Sequence, residues 1–369
     1  MKKRVAHVIY DLATAGAQTV VMNYLRSMKN DCEYEHFVVV GNSYSGLQYE
    51  EEAKAKGYNV VYANYKPVVK SRAFRPFINW FRYQTALYRA LKLVNPDIVH
   101  THLTQILPFV SIPILLLQKR KLHTLHSDPY AISMRFYLFA IIAFHIFRFK
   151  VIGVTEEQAE KAKKRYYLNN IPVVHNGLYL EQYNICNSRY DIRKELNIAN
   201  DAFVVGTVGR LFKIKNYPFL IKVFAEFANK NPKAILVIVG DGNERNHLES
   251  IVREYNISEQ VIFTGQRKDV VRIYHTMDLF MMTSFFESSS IVTVEAQACG
   301  VRCVIADSIP ENVIVTNNVS RLSLDAPLDD WLSAMYGNYE RHRKISDISL
   351  FSMDRTIIEL KNIYKSIDV

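Results

Sequence analysis

Short, mainly apolar runs that alternate with amphipathic helical segments constrain this fold more than any other feature of the sequence. The clearest run is Ala234–Val239, which contains no polar residue and leads into Gly-Asp-Gly. A strand that is apolar on both faces belongs in a parallel sheet with helices on each side. The alternation extends from Val5–Tyr10 near the start of the chain to Val301–Ala306 near its end. It predicts the α/β class, with doubly wound sheets.

The chain length indicates how many such sheets to expect. With 369 residues, the chain is longer than most single domains. The polar, mixed-charge stretch from Glu181 to Asn200 is the best candidate for a connection. We therefore predict one domain over residues 1–185, a second over 186–350, and a C-terminal segment over 351–369 that contains an amphipathic helix.

A serine-rich loop followed by an apolar segment is the main candidate for a binding site. The pattern predicts a helix capped by a side-chain oxygen of Ser289 or Ser290 and ended by Gly300. A helix N-terminus favours phosphate, and carboxylates such as Glu287 and Glu295 can accept hydrogen bonds from vicinal hydroxyls. A diphosphate between two polyols describes a nucleotide-sugar. The alternative is a serine-rich loop before an ordinary amphipathic helix, with Glu295 solvated.

The same stretch resembles a known signature. Glu287-x7-Glu295, followed by Ala-x-Ala-x-Gly, is similar to the motif of the family 4 retaining glycosyltransferases, and residues 295–311 resemble the bacterial exopolysaccharide and capsule branch. The resemblance implies the GT-B fold, in which two Rossmann-like domains face each other across a cleft. The first domain would lie on the acceptor side, the second would bind the nucleotide-sugar, and the C-terminal helix would cross back. Ser288–Ser290 departs from the family's Gly-x-Pro.

The resemblance also implies roles for individual residues. Arg210 and Lys215 match Gly-Arg-x4-Lys and would neutralise the departing diphosphate. Glu287 and His126 would position the donor sugar, and Glu295 would hold the ribose. The remaining donor-binding residues that the resemblance implies are Gly16, Gln266, Arg267, Ser290, Ile291 and Val292. The family uses no metal ion here and no cofactor, and no two aspartates of this chain stand two apart as in Asp-x-Asp.

Two alternate histidines raise the question of a metal site. His100 and His102 lie on one face of a predicted strand, but no third ligand is near in sequence. We expect satisfied, partly buried histidines that line the crevice. The four cysteines form no CxxC pair, so we expect them to be reduced core residues.

The charge of the chain points to an anionic partner. The formal net charge is +10, and residues 53–96 contain no acidic residue while basic and aromatic side chains interleave. This pattern suits an anionic membrane surface, although a solvated basic face would give it too. The charge would also suit RNA, but no nucleic-acid motif accompanies it. No apolar run is long enough to span a bilayer or to form a signal peptide, so we expect a cytoplasmic protein that is peripheral on the inner face of the membrane.

These observations predict an enzyme rather than a binding module. The expected reaction is metal-independent transfer of a sugar from a nucleoside-diphosphate sugar, most simply a UDP-sugar, to a lipid-linked glycan in the synthesis of a bacterial surface polysaccharide. Retention of anomeric configuration is implied by the resemblance alone. Two alternatives stay open: a GT-B epimerase acting on a nucleotide-sugar, and a non-catalytic protein that binds membranes or nucleic acid.

Overall fold

Contacts between residues divide the chain into two compact units. In a computed structural model, unit 1 comprises residues 1–177 and 353–369, and unit 2 comprises residues 178–352. The structure describes residues 2–13, 16–42, 47–65, 75–117, 119–184, 189–337 and 348–367. The predicted boundary between residues 185 and 186 lies outside the described residues. Ala15, Cys186 and the basic residues from Lys66 to Arg72 also lie outside them.

Unit 1 is built on a parallel sheet. Within the described residues this sheet has six strands in the order β3-β2-β1-β4-β5-β6. Its strands are β1 (Lys3–Ile9), β2 (Tyr34–Val40), β3 (Asn59–Tyr62), β4 (Ile98–His102), β5 (Arg120–Thr124) and β6 (Lys150–Ile152). Its helices are α1 (Gly16–Ser27), α2 (Gln48–Lys56), α3 (Arg75–Val94), α4 (Leu107–Leu116), α5 (Met134–Ile141), continued by a π-helical segment Ile142–Ile146, and α6 (Glu156–Tyr166).

Unit 2 repeats this architecture. Its described strands follow the order β12-β11-β10-β7-β8-β9, again all parallel. The strands are β7 (Phe203–Val208), β8 (Ala234–Val239), β9 (Val261–Gly265), β10 (Leu279–Met282), β11 (Arg302–Ala306) and β12 (Val319–Leu322). The helices are α7 (Arg189–Glu195), α8 (Tyr217–Lys230), α9 (Arg245–Glu254), α10 (Val270–Tyr274), α11 (Ile291–Ala298) and α12 (Leu328–Tyr336).

The last helix, α13 (Met353–Ser366), belongs to unit 1 although it follows unit 2 in sequence. It packs on α1, and its Tyr364 is fully buried in the core of unit 1 with Val5 and Tyr24. Short 3₁₀ helices complete the description, at Thr104–Ile106, Leu180–Asn184, Lys213–Lys215, Ser258–Gln260, Glu311–Val313 and Ile348–Phe351.

Local signals account for several element ends. Helix α6 begins after Thr155, whose hydroxyl accepts a hydrogen bond from the backbone N–H of Gln158 at 3.1 Å, a side-chain cap typical of threonine. Gly240 ends β8 with φ at +134°, and a Cβ there would lie 2.0 Å from the carbonyl oxygen of Gly209. Only glycine allows the ends of β7 and β8 to approach this closely.

The cysteines only partly follow the prediction. Cys299 and Cys303 are buried in the core of unit 2 without a disulfide, as expected. Cys32 is exposed, so its assignment to a core was wrong. It follows α1 in a polar turn before β2, where no apolar layer covers it.

Candidate active site

The carboxyl ends of β7 and β10 bring the central charged residues of unit 2 together. Two hydrogen bonds join the loop after β10 to the turn after β7. The N–H of Phe285 donates to the carbonyl of Ile214 at 2.8 Å, and the Thr283 hydroxyl donates to the carbonyl of Asn216 at 3.0 Å. In an open parallel sheet, ligands bind at this edge.

Lys215 and Glu287 form an ion pair at this junction. The Nζ of Lys215 lies 2.6 Å from Oε1 of Glu287, and the hydroxyl of Ser284 donates to the same oxygen at 2.7 Å. The two side chains are only 19% and 12% exposed, so water screens the pair less than it would a surface pair. The resemblance implies separate roles for these residues, and the structure places them in direct contact. It adds Ser284, which the sequence analysis missed.

Tyr217 also contacts the turn after β7. Its hydroxyl donates to the carbonyl of Gly209 at 3.0 Å. Burial, and after it the charge of Glu287, raises the pKa of this phenol. The hydroxyl therefore stays protonated and keeps the turn after β7 in place.

Arg210 is exposed in the turn that follows β7 and leads to Lys215. Its guanidinium lies over the ring of Phe212, with 4.6 Å between Cζ and the ring centroid. Among the described residues it makes no salt bridge, unlike Lys215. The guanidinium thus presents its donors to solvent, where an anion could bind.

Glu295 lies on α11 between two tyrosines. The hydroxyl of Tyr183 donates to Oε1 at 3.0 Å, and that of Tyr274 donates to Oε2 at 2.9 Å. Burial raises the pKa of Glu295, and these hydrogen bonds act in the opposite direction. Burial also raises the pKa of both phenols, and so does the charge of Glu295, which keeps both hydroxyls as donors. Each carboxylate oxygen retains acceptor capacity for a ligand hydroxyl.

The expected side-chain cap of α11 is wrong. Ser290 directly precedes the helix, but its buried hydroxyl lies 2.8 Å from that of Thr293 and 3.0 Å from the sulfur of Met282. The Ser289 hydroxyl is buried and has no partner among the described residues, while the Ser289 carbonyl accepts from the N–H of Ile291. The Ser290 hydroxyl lies against the sulfur of Met282. In this apolar site it bonds the Thr293 hydroxyl and does not cap a backbone N–H of the helix. Gly300 follows the helix with φ at +73°, as predicted.

The remaining donor-binding predictions lie at strand or helix ends. Gln266 is exposed just after β9. Arg267 is engaged by Glu195 and Asp269, each at 2.8 Å. Gly16 is the exposed first residue of α1, and Val292 lies in the first turn of α11 beside Ile291.

The predicted histidines of unit 1 lie deeper than expected. His100 and His102 are both fully buried, so the expectation of partly buried crevice residues was wrong. Both point into the layer beneath α1 and α13, where the Nδ1 of His100 lies 3.0 Å from the Tyr364 hydroxyl. His126 follows β5 and is partly exposed, with its Nε2 3.0 Å from Nδ1 of His102.

The sheet also supplies a third histidine that the sequence spacing concealed. His7 comes from β1, and the potential ligand atoms of His7, His100 and His102 all lie within 4.8 Å of one another. However, both ring nitrogens of His100 already have hydroxyl partners, Tyr364 and Thr124, the latter at 2.7 Å. The arrangement is complete as a hydrogen-bonded cluster.

Comparison with known proteins identifies the family of the chain. The model of "Glycosyltransferase Family 4" matches residues 14–182, and that of "Glycosyl transferases group 1" matches residues 188–335. These matches cover most of both units.

The chain belongs to the family 4 glycosyltransferases.

Relatives with assigned names agree with this. The glycosyltransferase is 28% identical over 342 residues to EpsF of Bacillus subtilis (strain 168), a match that covers 89% of this chain and 86% of EpsF. It is 26% identical over 303 residues to the UDP-Gal:alpha-D-GlcNAc-diphosphoundecaprenol alpha-1,3-galactosyltransferase of Escherichia coli, covering 77% of this chain and 76% of that enzyme. The predictions of the family and of glycosyltransferase activity are therefore confirmed.

Solved structures confirm the predicted fold class. HepE of Anabaena, crystallised with UDP and glucose, superposes with a TM-score of 0.81 at 16% identity, over 99% of this chain and all of that one. Sucrose-phosphate synthase of Thermosynechococcus elongatus gives a TM-score of 0.77 at 16% identity, over 99% of each chain. The glycosyltransferase has the two Rossmann-like domains of the GT-B fold.

The length and hydropathy of the helices decide whether any of them could span a bilayer. Among the residues that the structure describes, no helix is both long and apolar enough to cross a membrane.

Proposed function

We propose that this glycosyltransferase moves a sugar from a nucleoside-diphosphate sugar, with UDP as the favoured nucleotide, to a hydroxyl of a lipid-linked glycan. The configuration at the anomeric carbon is retained. The product would be an intermediate of a bacterial cell-surface polysaccharide.

The contact between Lys215 and Glu287 is the observation that carries this proposal. A single junction offers a cation for a diphosphate and a carboxylate for sugar hydroxyls, and Ser284 orients that carboxylate. Glu295, fixed by two phenols, offers a second carboxylate for the ribose. A nucleotide-sugar carries the groups that these side chains would bind, namely a diphosphate with a polyol on each side.

The proposed step uses this arrangement as follows. The bond between the anomeric carbon and the diphosphate oxygen breaks, and a bond from that carbon to the acceptor oxygen forms on the same face. The acceptor proton passes to the leaving diphosphate, whose charge Lys215 and Arg210 stabilise. His126 of unit 1 would hydrogen-bond a sugar hydroxyl. The N–H groups near Gly16 and Ser290–Val292 would bind phosphate oxygens, and the backbone at Gln266 and Arg267 would contact the base.

The names of similar proteins support the choice of donor and acceptor. The E. coli relative is named for a UDP-Gal donor and an acceptor linked to diphosphoundecaprenol. HepE was crystallised with UDP-glucose. These are properties of those proteins, and they make a UDP-sugar and a polyprenyl-linked glycan the first pair to test here.

A lipid-linked acceptor also calls for contact with a membrane surface. Three neighbouring helices of unit 1, α3, α4 and α5, carry exposed apolar side chains. None of these helices contains an acidic residue. We name this set the three-helix surface, and we propose that it rests on anionic lipid. No RNA partner is proposed.

The function is tested with purified protein and defined substrates. A panel of UDP- and GDP-sugars is compared by thermal shift, where saturation at 100 times Kd stabilises the protein by about 2.7 kcal/mol. The best donor is then incubated with a polyprenyl-diphosphate-linked sugar, and NMR gives the anomeric configuration of the product. We expect a UDP-sugar to bind, retention in the product, and equal rates with and without EDTA.

Other results would contradict the proposal in recognisable ways. An inverted product would exclude retention. Release of an altered free sugar from donor alone would favour an epimerase. Loss of activity in EDTA, with recovery in manganese, would show that the protein cations do not replace a metal.

A further inference from the structure

Four histidines of unit 1 are joined end to end by hydrogen bonds. His36 Nδ1 lies 3.1 Å from His7 Nε2, and His7 Nδ1 lies 3.1 Å from His102 Nε2. His102 Nδ1 then lies 3.0 Å from His126 Nε2. We name these four residues the histidine chain. Every junction joins the Nδ1 of one ring to the Nε2 of the next.

The histidine chain follows the order of the strands. His36 lies on β2, His7 on β1 and His102 on β4, and His126 follows β5, so each step moves to the next strand of the sheet. The positions also advance along the strands. His36 is the third residue of β2, His7 the fifth of β1, and His102 the last of β4. The chain thus runs from near the amino-terminal edge to the carboxyl edge, where ligands bind in open α/β sheets.

The end of the histidine chain at His36 borders a polar cavity. The Nε2 atom of His36 is buried and has no hydrogen-bond partner among the described residues. His36 lines a cavity of about 770 Å³, together with Lys3, Arg4, Asn59 and Asp97. The unpartnered nitrogen thus belongs to a residue that borders a polar cavity, so a small local movement would let water reach it, whereas in an apolar core it would only cost stability.

The histidines of the chain stay neutral near pH 7. Burial keeps the pKa of His7 and His102 well below the ordinary value, and it lowers the pKa of His36 and of His126 to about 4. A neutral imidazole donates from one nitrogen and accepts at the other. Four neutral rings joined Nδ1 to Nε2 can therefore all adopt the same tautomer and form an unbroken series of hydrogen bonds.

We propose that the histidine chain is a proton-transfer path between the cavity at His36 and the active-site histidine His126. In one state, each ring carries its proton on Nε2. When His126 takes a proton at Nδ1, three protons move from Nε2 to the Nδ1 of the next ring, and His36 releases its Nε2 proton to the cavity. One proton enters and one leaves, and the reverse movement restores the first state.

This path offers a second route for the proton that the transfer reaction frees. Each turnover frees one proton from the acceptor hydroxyl, and the leaving diphosphate is its first acceptor in the proposed function. The histidine chain lets His126 take that proton, or return one, without opening the core to water. This step rests on the proposed role of His126 in the active site.

Imidazole NMR tests the chain itself, independently of any activity. In wild-type protein labelled with ¹⁵N-histidine, we expect all four rings to share one tautomer and to show ¹⁵N–¹⁵N couplings across the three hydrogen bonds. Mixed tautomers or absent couplings would overturn the proposal. Stoichiometric binding of Zn²⁺ or Co²⁺ that depends on His7 would also overturn it, because the cluster would then be a metal site.

Kinetics of matched variants test the transfer of protons. His7→Gln keeps a donor and an acceptor at the centre of the chain, but an amide cannot pass a proton between them. His123→Gln is the control, because His123 is equally buried and lies on the opposite face of the sheet, bonded to Thr101. We expect H7Q to lower kcat about tenfold and reduce its solvent deuterium effect, with the donor KM unchanged. Equal kcat values in H7Q and H123Q would refute the path.

The two measurements separate this inference from the proposed function. If no sugar transfer is found with any donor, the proposed function fails, and the NMR result still decides whether the chain exists. If transfer is found and only the H7Q effect is missing, the path alone fails.

Discussion

At the scale of single residues, the ion pair of Lys215 and Glu287 is the feature with the most consequences. Each partner is largely buried, so each needs the other or a ligand of suitable charge. A diphosphate would attract Lys215, and sugar hydroxyls would donate to Glu287. The pair therefore holds both groups in place before the donor binds, which lowers the cost of ordering them on binding.

Replacing Lys215 with Ala should impair transfer far more than folding. We expect kcat/KM to fall about 100- to 1,000-fold, the range seen when one stabilising donor is removed from an active site. Lys213→Ala is the matched control, because Lys213 belongs to the same 3₁₀ helix and is exposed. Steady-state kinetics and donor calorimetry compare the two variants. Activity of K215A within twofold of K213A would remove Lys215 from the site.

At the scale of elements, the three-helix surface shows what the helices do besides covering the sheet. Helices α3, α4 and α5 bury one side in the core around Leu91, Ile114 and Ala140. Their other sides expose large apolar side chains, among them Phe77, Phe81, Leu116, Met134 and Leu138. An exposed set of this kind, with arginines and no carboxylates on the same helices, fits a lipid surface better than water.

Phe81→Ser should weaken binding to anionic vesicles. Phe81 is 61% exposed on α3, and losing the partial burial of one phenylalanine should reduce affinity about tenfold. Tyr190→Ser is the control, since Tyr190 is 70% exposed on α7 of unit 2. Co-sedimentation with phosphatidylglycerol and phosphatidylcholine vesicles, at low and high salt, measures the effect. Equal binding of both variants, or no preference for anionic lipid, would contradict a role for the three-helix surface.

Elements were predictable from sequence where their signals are local. Helix α6 carries such signals, because Thr155 caps its start and its residues are good helix formers. Helix α4 was not assigned from the sequence, since Pro113 lies inside an apolar stretch that lacks helical periodicity. There the tertiary packing of an apolar helix against α3 outweighs local propensity.

The candidate site was predictable only in part, because some of its contacts join residues that are distant in sequence. The positions of Glu287 and Glu295 follow from spacing, but Tyr183 and Tyr274 reach Glu295 from elements distant in sequence. Nothing in their local sequence marks them. The histidine chain was hidden in the same way, because its residues come together only once the strand order and register of the sheet are known.

At the scale of the whole molecule, the two units differ in how deeply their histidines are buried. Unit 1 holds six described histidines that are fully or almost fully buried. Five of them lie on strands of its sheet, namely His7, His36, His100, His102 and His123, and the sixth is His175. The described histidines of unit 2 are His247, which is exposed, and His275, which is partly exposed. Mild acid should therefore act on unit 1 first.

We expect the free energy of unfolding of unit 1 to fall as the pH drops below about 6.5. Burial lowers the pKa of His36 to about 4 and that of His123 to about 3, whereas in the unfolded chain both titrate near 6.5. Between these values only the unfolded state binds the protons, so stability is full above pH 6.5 and declines by about 1.4 kcal/mol per pH unit for each histidine.

The chain offers one tryptophan in each unit, Trp80 and Trp331. Urea unfolding of Trp331→Phe reports unit 1 and that of Trp80→Phe reports unit 2, each measured from pH 7.5 to 5 at constant ionic strength. A transition of unit 1 that moves no more than that of unit 2 would mean that the buried histidines bind protons in the folded state.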